Sequence, residues 1–145
     1  MNASVLRGPL AGRNEPLEVN LAPAPTSALE ARDAVQRALG EVGGRDSAVT
    51  LVTSELVTNA ILHAGTPVTM RVSLEPGGRS ARVEVHDNVP PGGRALGASR
   101  AHPPGQATSG RGLAMVSWLA SEWGVRREDS GKTVWAVVPL NQWGH

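Results

Sequence analysis

Residues 54–64 read Ser-Glu-Leu-Val-Thr-Asn-Ala-Ile-Leu-His-Ala and form most of a predicted helix. The helix begins after Asp46 or Ser47, either of which is a suitable N-cap, and ends at about Ala64, before Gly65. Apolar residues recur along it at three- and four-residue intervals. This spacing predicts that one helical face lies in a protein core, formed by Val49, Val52, Leu56 and Ala60.

Two polar residues fall on or beside this apolar stripe. On a helical wheel Asn59 lies about 20° from Val52, inside the stripe, and Glu55 lies about 60° away, at its edge. Because they are four residues apart, their side chains can contact a common ligand. A carboxylate near a core needs a metal, a hydrogen-bond network or a water-filled pocket. The alternative is structural: Glu55 reaches solvent from the interface, and Asn59 bonds to the backbone.

The composition excludes several classes of function. The 145 residues predict one domain, and the absence of cysteine excludes disulfides, thiolate catalysis and Cys-ligated metal sites. Phe and Tyr are absent and Trp occurs four times, which argues against an aromatic platform for single-stranded nucleic acid. The net charge of +1 gives no strong attraction to nucleic acid or to anionic membranes. No segment approaches the ~20 apolar residues of a membrane helix. We therefore expect no direct nucleic-acid partner, no membrane contact and a cytoplasmic location.

The rest of the chain predicts an α/β (α+β) fold, a two-layer sandwich. Its sheet is mixed, mostly antiparallel, with helices covering one face. Hairpin turns at 76–78 and 129–131 join two pairs of neighbouring strands. The predicted strands are 17–21, 68–74, 82–87, 123–127 and 133–139, and further helices lie at about 27–39 and 110–120.

One connection is too long for an ordinary loop. Residues 88–109 contain four prolines and four glycines, and such a segment in a compact domain is a lid, a binding loop or disorder. We interpret it as a lid within a domain at 17–140. Residues 1–16 and 141–145 are then a flexible N-terminal tail and a C-terminal tail.

The two ends of this segment are candidate binding positions. Asp87 ends a strand, where a carboxylate can accept a hydrogen bond from an exocyclic amine; it is equally suited to begin a turn. Gly110-Arg111-Gly112-Leu113 begins a helix, whose N-terminal N–H groups attract phosphate, and Arg111 adds a cation. The alternative is flexible loop glycine before a core helix. The sequence contains neither the P-loop nor the Rossmann glycine pattern.

These motifs together resemble the Bergerat (GHKL) ATP-binding fold of histidine kinases, gyrase B, Hsp90 and MutL. The resemblance is carried by Glu55-x-x-x-Asn59-Ala60, Asp87, the helix start at 110–113 and Gly131-Lys132-Thr133. Residues 54–64 are similar over their whole length to the N box of the anti-sigma-factor serine/threonine kinases. The resemblance covers about residues 17–140.

The resemblance implies a role for each matching residue. Asn59 would hold Mg²⁺ that bridges the ATP phosphates, and Glu55 would be the general base or would orient the attacking hydroxyl. Asp87 would accept from the adenine amino group, assisted by Thr133 through a shared water. The residues that would line the phosphates and complete the ATP site are Gly110, Arg111, Gly112 and Leu113.

The implied function is an Mg-ATP-dependent serine/threonine protein kinase of the anti-sigma-factor type. Its substrate would be a small antagonist (anti-anti-sigma) protein, it could also sequester a sigma factor, and it would thereby regulate transcription. Members of this subgroup often pair, so a homodimer is among the expected assemblies. Val89 departs from the family pattern, which usually has Gly two residues after the Asp. The alternative hypothesis is an ATP-binding or degenerate module that sequesters a partner without kinase activity.

Overall fold

A computed structural model describes residues 16–40, 47–89 and 111–140, with only the backbone of Arg111 and Gly112 described. Both predicted tails (apart from residue 16), Gly110 and nearly all of the predicted lid at 88–109 lie outside the described residues. The elements in chain order are β1 (Leu17–Leu21), α1 (Ser27–Leu39), α2 (Ala48–Ala64), β2 (Val68–Leu74), β3 (Ser80–Asp87), α3 (Arg111–Leu119), β4 (Glu122–Glu128) and β5 (Gly131–Pro139).

The described strands form one sheet in the order β1-β2-β3-β5-β4. Every neighbouring pair is antiparallel, so the mostly antiparallel sheet of the predicted sandwich is antiparallel throughout its described part. The β4–β5 hairpin returns β5 to the inside of the sheet, beside β3, and leaves β4 at the edge. The fold class predicted from the sequence is confirmed.

The hydrophobic core lies between one face of this sheet and the helices. Side chains of β3 alternate in burial, as expected for a strand with one face in the core. Valines of β2 and β3 on this face pack with Val52 and Leu56 of α2. None of the described helices is long and apolar enough to cross a membrane.

Helix α2 follows its predicted boundaries but is buried over a wider arc than its sequence pattern indicated. The side chain of Ser47 caps its start by accepting a hydrogen bond from the Thr50 N–H at 3.3 Å. Because α1 packs against α2 in addition to the sheet, burial extends to residues such as Thr53 and Val57. This additional burial lies on the side of the helix away from Asn59, which was predicted to lie inside the apolar stripe and is half-buried. The predicted stripe itself is buried, at Val49, Val52, Leu56 and Ala60.

Strand β5 begins earlier than the predicted residue 133. Gly131, predicted to belong to a turn, is paired in the strand opposite Glu128, with a φ of 152° that side chains rarely adopt. A Cβ at this position would overlap the backbone carbonyl oxygen of Asp87. The glycine therefore permits β5 to run close against the end of β3, where Lys132 lies opposite Asp87.

Candidate functional site

Asp87 ends β3 on the sheet face that the helices cover, and only 3% of its surface is exposed. Its Oδ1 accepts a hydrogen bond from the backbone N–H of Val89 at 3.0 Å. Its Oδ2 accepts from the Lys132 ammonium at 2.9 Å. A buried carboxylate is costly without such donors, so Lys132 supplies the counter-charge that permits Asp87 to lie there.

Thr133 lies on the opposite face of the sheet. It pairs with His86, whose Nδ1 is 2.8 Å from its hydroxyl oxygen, whereas Lys132 pairs with Asp87. Directly opposite residues of antiparallel strands share a face, and neighbours along a strand do not. The structure therefore does not bring the Thr133 hydroxyl together with Asp87. The sequence pattern gave Lys132 no role of its own, because its position opposite Asp87 depends on the register between two strands that are distant in sequence.

The face of the sheet that carries Thr133 has paired charges. Arg82 lies over the ring of Trp135, 4.6 Å from its centroid, and Arg126 donates to Glu128 at 2.8 Å. This hydrogen bond lowers the pKa of Glu128 and raises that of Arg126. Glu128 also lies 3.5 Å from the Nδ1 of His86. These contacts pair the charged groups around Thr133 with one another, on the side of the sheet away from Asp87.

Glu55 and Asn59 are half-buried on α2, about one helical turn apart. Within the described residues neither side chain has a hydrogen bond or an ion pair. An amide oxygen is a suitable Mg²⁺ ligand, and Mg²⁺ is typically held by one or two protein groups together with water and phosphate oxygens. The described part of the chain has no cluster of three His, Asp or Glu side chains for a metal. Asn59 therefore fits a magnesium ion held mainly by a bound phosphate group.

Chain connectivity relates this helix to Asp87. Helix α2 ends at Ala64, and after a three-residue connection β2 begins at Val68, directly opposite Asp87. At 1.5 Å per residue, Asn59 lies about 7.5 Å before the end of the helix and Glu55 about 6 Å further back. Asp87 therefore lies at the end of the sheet that follows the C-terminus of α2, and Asn59 and then Glu55 lie progressively further from that end along the helix.

The N-terminus of helix α3 is directed toward the end of the sheet that carries Asp87. A two-residue connection joins it to β4, whose first residue, Glu122, pairs with Val137, at the far end of β5 from Lys132. A helix and a strand joined so closely run in opposite directions, so the N-terminus of α3 is directed toward the Asp87 end. The structure describes Leu113, which packs against the hydrophobic core, whereas the surroundings of Gly110, Arg111 and Gly112 lie outside the description.

A family model for the histidine kinase-like ATPase domain matches residues 21–138. A search of curated proteins finds no significant match. Among solved structures, the chain is similar to the RsbU and RsbW domains of Rv1364c from Mycobacterium tuberculosis, with 22% identity and a TM-score of 0.58. That alignment covers 86% of this chain and 32% of the other, so the chain spans about a third of that protein's length.

The chain is also similar to the blue-light activated histidine kinase EL346 of Erythrobacter litoralis. The identity is 29% and the TM-score 0.49, over 72% of this chain and 33% of the other. The family match covers most of the described sheet and all three helices. The protein therefore belongs to the histidine kinase-like ATPase family, a membership that implies ATP binding.

Proposed function

We propose that the protein is an Mg-ATP-dependent serine/threonine protein kinase of the anti-sigma-factor type. It phosphorylates a small antagonist protein and thereby regulates transcription. The observation that carries this proposal is that α2, which carries Glu55 and Asn59, leads at its C-terminus into the strand that begins opposite Asp87, in a family that implies ATP binding. The resemblance of residues 54–64 to the N box of these kinases supports it further.

In this proposal the adenine base of ATP binds at Asp87, near the C-terminal end of α2, and the phosphates lie further along the helix, near Asn59. The buried Asp87 carboxylate accepts a hydrogen bond from the adenine amino group. The Asn59 amide oxygen would hold Mg²⁺, and that ion would neutralise phosphate charge. The N-terminal turn of α3 offers unpaired backbone N–H groups to the phosphates, with Gly110, Arg111 and Gly112 around them.

Glu55 is the proposed general base. Because no described residue hydrogen-bonds to its carboxylate, Glu55 has lone pairs available to a substrate hydroxyl. The hydroxyl oxygen of a Ser or Thr on the antagonist forms a bond to the γ-phosphorus, and its proton passes to Glu55. The bond from the γ-phosphorus to the bridging oxygen breaks, and ADP leaves.

One observation favours the second candidate, a partner-sequestering module without kinase activity. Both carboxylate oxygens of Asp87 already have donors, from the Val89 N–H and from Lys132. Val89 stands where the family usually has the glycine that lets the backbone pass close to the base. Because these donors already occupy the carboxylate that would bind the base, we expect such a site to bind nucleotide weakly.

Calorimetry and a phosphotransfer assay test the two candidates. We expect the wild-type chain to bind Mg-ATP, Asp87→Asn to weaken binding at least about tenfold, and the exposed-site control Asp33→Asn to leave it unchanged. Labelled γ-phosphate should then pass to a Ser or Thr of an antagonist protein encoded beside this gene. ATP binding without transfer would favour the second candidate, and no Mg-dependent binding at millimolar ATP would contradict the kinase.

A further inference from the structure

Lys132 and Asp87 form an ion pair whose two side chains differ in solvent exposure. The residues lie directly opposite each other in the β3–β5 register, with Nζ 2.9 Å from Oδ2. The Asp87 side chain is 3% exposed and that of Lys132 is 29% exposed. A ligand that reaches the carboxylate from solvent therefore meets the ammonium of Lys132 as part of the same site.

The pair retains hydrogen-bonding capacity after its internal contacts are made. An ammonium carries three N–H donors, and the one hydrogen bond that Lys132 makes within the described residues is to Asp87. The Asp87 carboxylate has about four acceptor positions, of which Val89 and Lys132 use one each. An acceptor and a donor therefore lie side by side, each able to make a further bond.

We propose that Lys132 is a base-specificity residue that reads the ring nitrogen N1 of adenine while Asp87 accepts from the neighbouring amino group. The inference rests on the proposed ATP binding through Asp87. On the adenine edge an amino donor adjoins a ring acceptor, which complements the carboxylate and the ammonium in turn. The ammonium thus takes the place of the Thr133-held water that the resemblance implied.

The free energy of binding favours adenine that binds beside the Asp87–Lys132 ion pair over adenine that displaces Lys132 from it. Displacement would leave the buried Asp87 carboxylate without its counter-charge, and an uncompensated buried charge is strongly destabilising. Binding beside it keeps the ion pair and adds a hydrogen bond from a charged donor. Such bonds are stronger than neutral ones, so Lys132 contributes to both affinity and selectivity.

The test compares ATP with 1-deaza-ATP, in which a C–H replaces ring nitrogen N1, by calorimetry on the full chain. We expect wild-type protein to bind 1-deaza-ATP about tenfold more weakly than ATP. In Lys132→Met both nucleotides should bind with the same, weaker affinity. Arg127→Met is the matched control: Arg127 lies opposite Lys132 in the β4–β5 register and should leave the tenfold difference intact.

The outcomes separate this inference from the proposed function. Equal affinities of wild-type protein for the two nucleotides would overturn the role of Lys132 while ATP binding stands. Tighter ATP binding by Lys132→Met would also overturn it, because the lysine would then compete with the base for Asp87. Absence of ATP binding by wild-type protein would contradict the proposed function itself. If Lys132→Met does not fold, equal affinities of the wild-type protein for the two nucleotides would still overturn the inference.

Discussion

The backbone of Gly131 lies so close to that of Asp87 that a Cβ on Gly131 would overlap the Asp87 carbonyl oxygen. The two residues lie at adjacent ends of β5 and β3, the strands that present Lys132 and Asp87. The position of the proposed base-binding carboxylate therefore depends on the absence of a side chain at residue 131.

Gly131→Ala should destabilise the protein and weaken ATP binding together. The new methyl group must push β5 away from Asp87, and the φ of 152° is itself unfavourable for alanine. We expect a loss of at least about 3 kcal/mol of unfolding free energy, measured by chemical denaturation, and a weaker calorimetric affinity.

Gly78→Ala is the matched control for this substitution. Gly78 also has a positive φ, 73°, but a Cβ there meets no atom within 4 Å. It should cost only about 1–2 kcal/mol, and ATP affinity should not change. Equal losses in the two variants would show that the contact with Asp87 has no effect beyond backbone strain.

Thr133→Val should lower stability without affecting ATP binding. Valine keeps the shape of threonine but removes the hydroxyl that lies 2.8 Å from His86 Nδ1, on the face opposite Asp87. We expect a loss of about 1 kcal/mol, seen as a decrease of about 2–4 °C in Tm. A clear loss of ATP affinity at unchanged stability would instead support the base-binding role that the resemblance implied.

Asn59→Ala should separate metal-dependent binding from stability. Asn59 has no hydrogen bond in the described part of the chain, and alanine is the better helix former, so unfolding free energy should stay equal or increase by a few tenths of a kcal/mol. ATP affinity measured with Mg²⁺ should decrease about tenfold, and affinity measured in EDTA should not.

Ser54→Ala is the matched control for Asn59→Ala. It also places an alanine on α2, but residue 54 lies on the other side of the helix from residue 59. It should bind ATP like the wild type with and without Mg²⁺. A loss of affinity in Asn59→Ala that is the same in EDTA would exclude a magnesium ligand at this position.

Glu55→Gln should abolish phosphotransfer while ATP still binds. The amide keeps the size of the side chain but cannot take the proton of the attacking hydroxyl, so transfer should slow about 10²- to 10⁴-fold. Glu122→Gln, exposed at the start of β4, is the control and should retain the wild-type rate. Unchanged transfer in Glu55→Gln, followed with labelled ATP, would exclude Glu55 as the base.

Much of the fold follows from local sequence patterns. Ser47 and Gly65 delimit α2, the period of its valines and leucines predicts its core face, and Pro76-Gly77-Gly78 marks the β2–β3 hairpin. These features are readable because capping, helical periodicity and tight turns depend on residues a few positions apart. The resemblance of residues 54–64 to the N box rests on equally local features, because Glu55 and Asn59 lie one turn apart on a single helix.

The sequence by itself thus determined the sandwich, the helix that carries Glu55 and Asn59, and the strand end at Asp87. Only the tertiary structure decided which side chain accompanies Asp87. The sequence pattern placed Gly131 in the turn and the resemblance implied Thr133, whereas Gly131 lies in β5 and Lys132 lies opposite Asp87. Successive residues of a strand point to opposite faces, so the partner of Asp87 depends on the register between two distant strands. That register also brings the backbone of Gly131 close to that of Asp87, a contact between distant parts of the chain that no local pattern encodes.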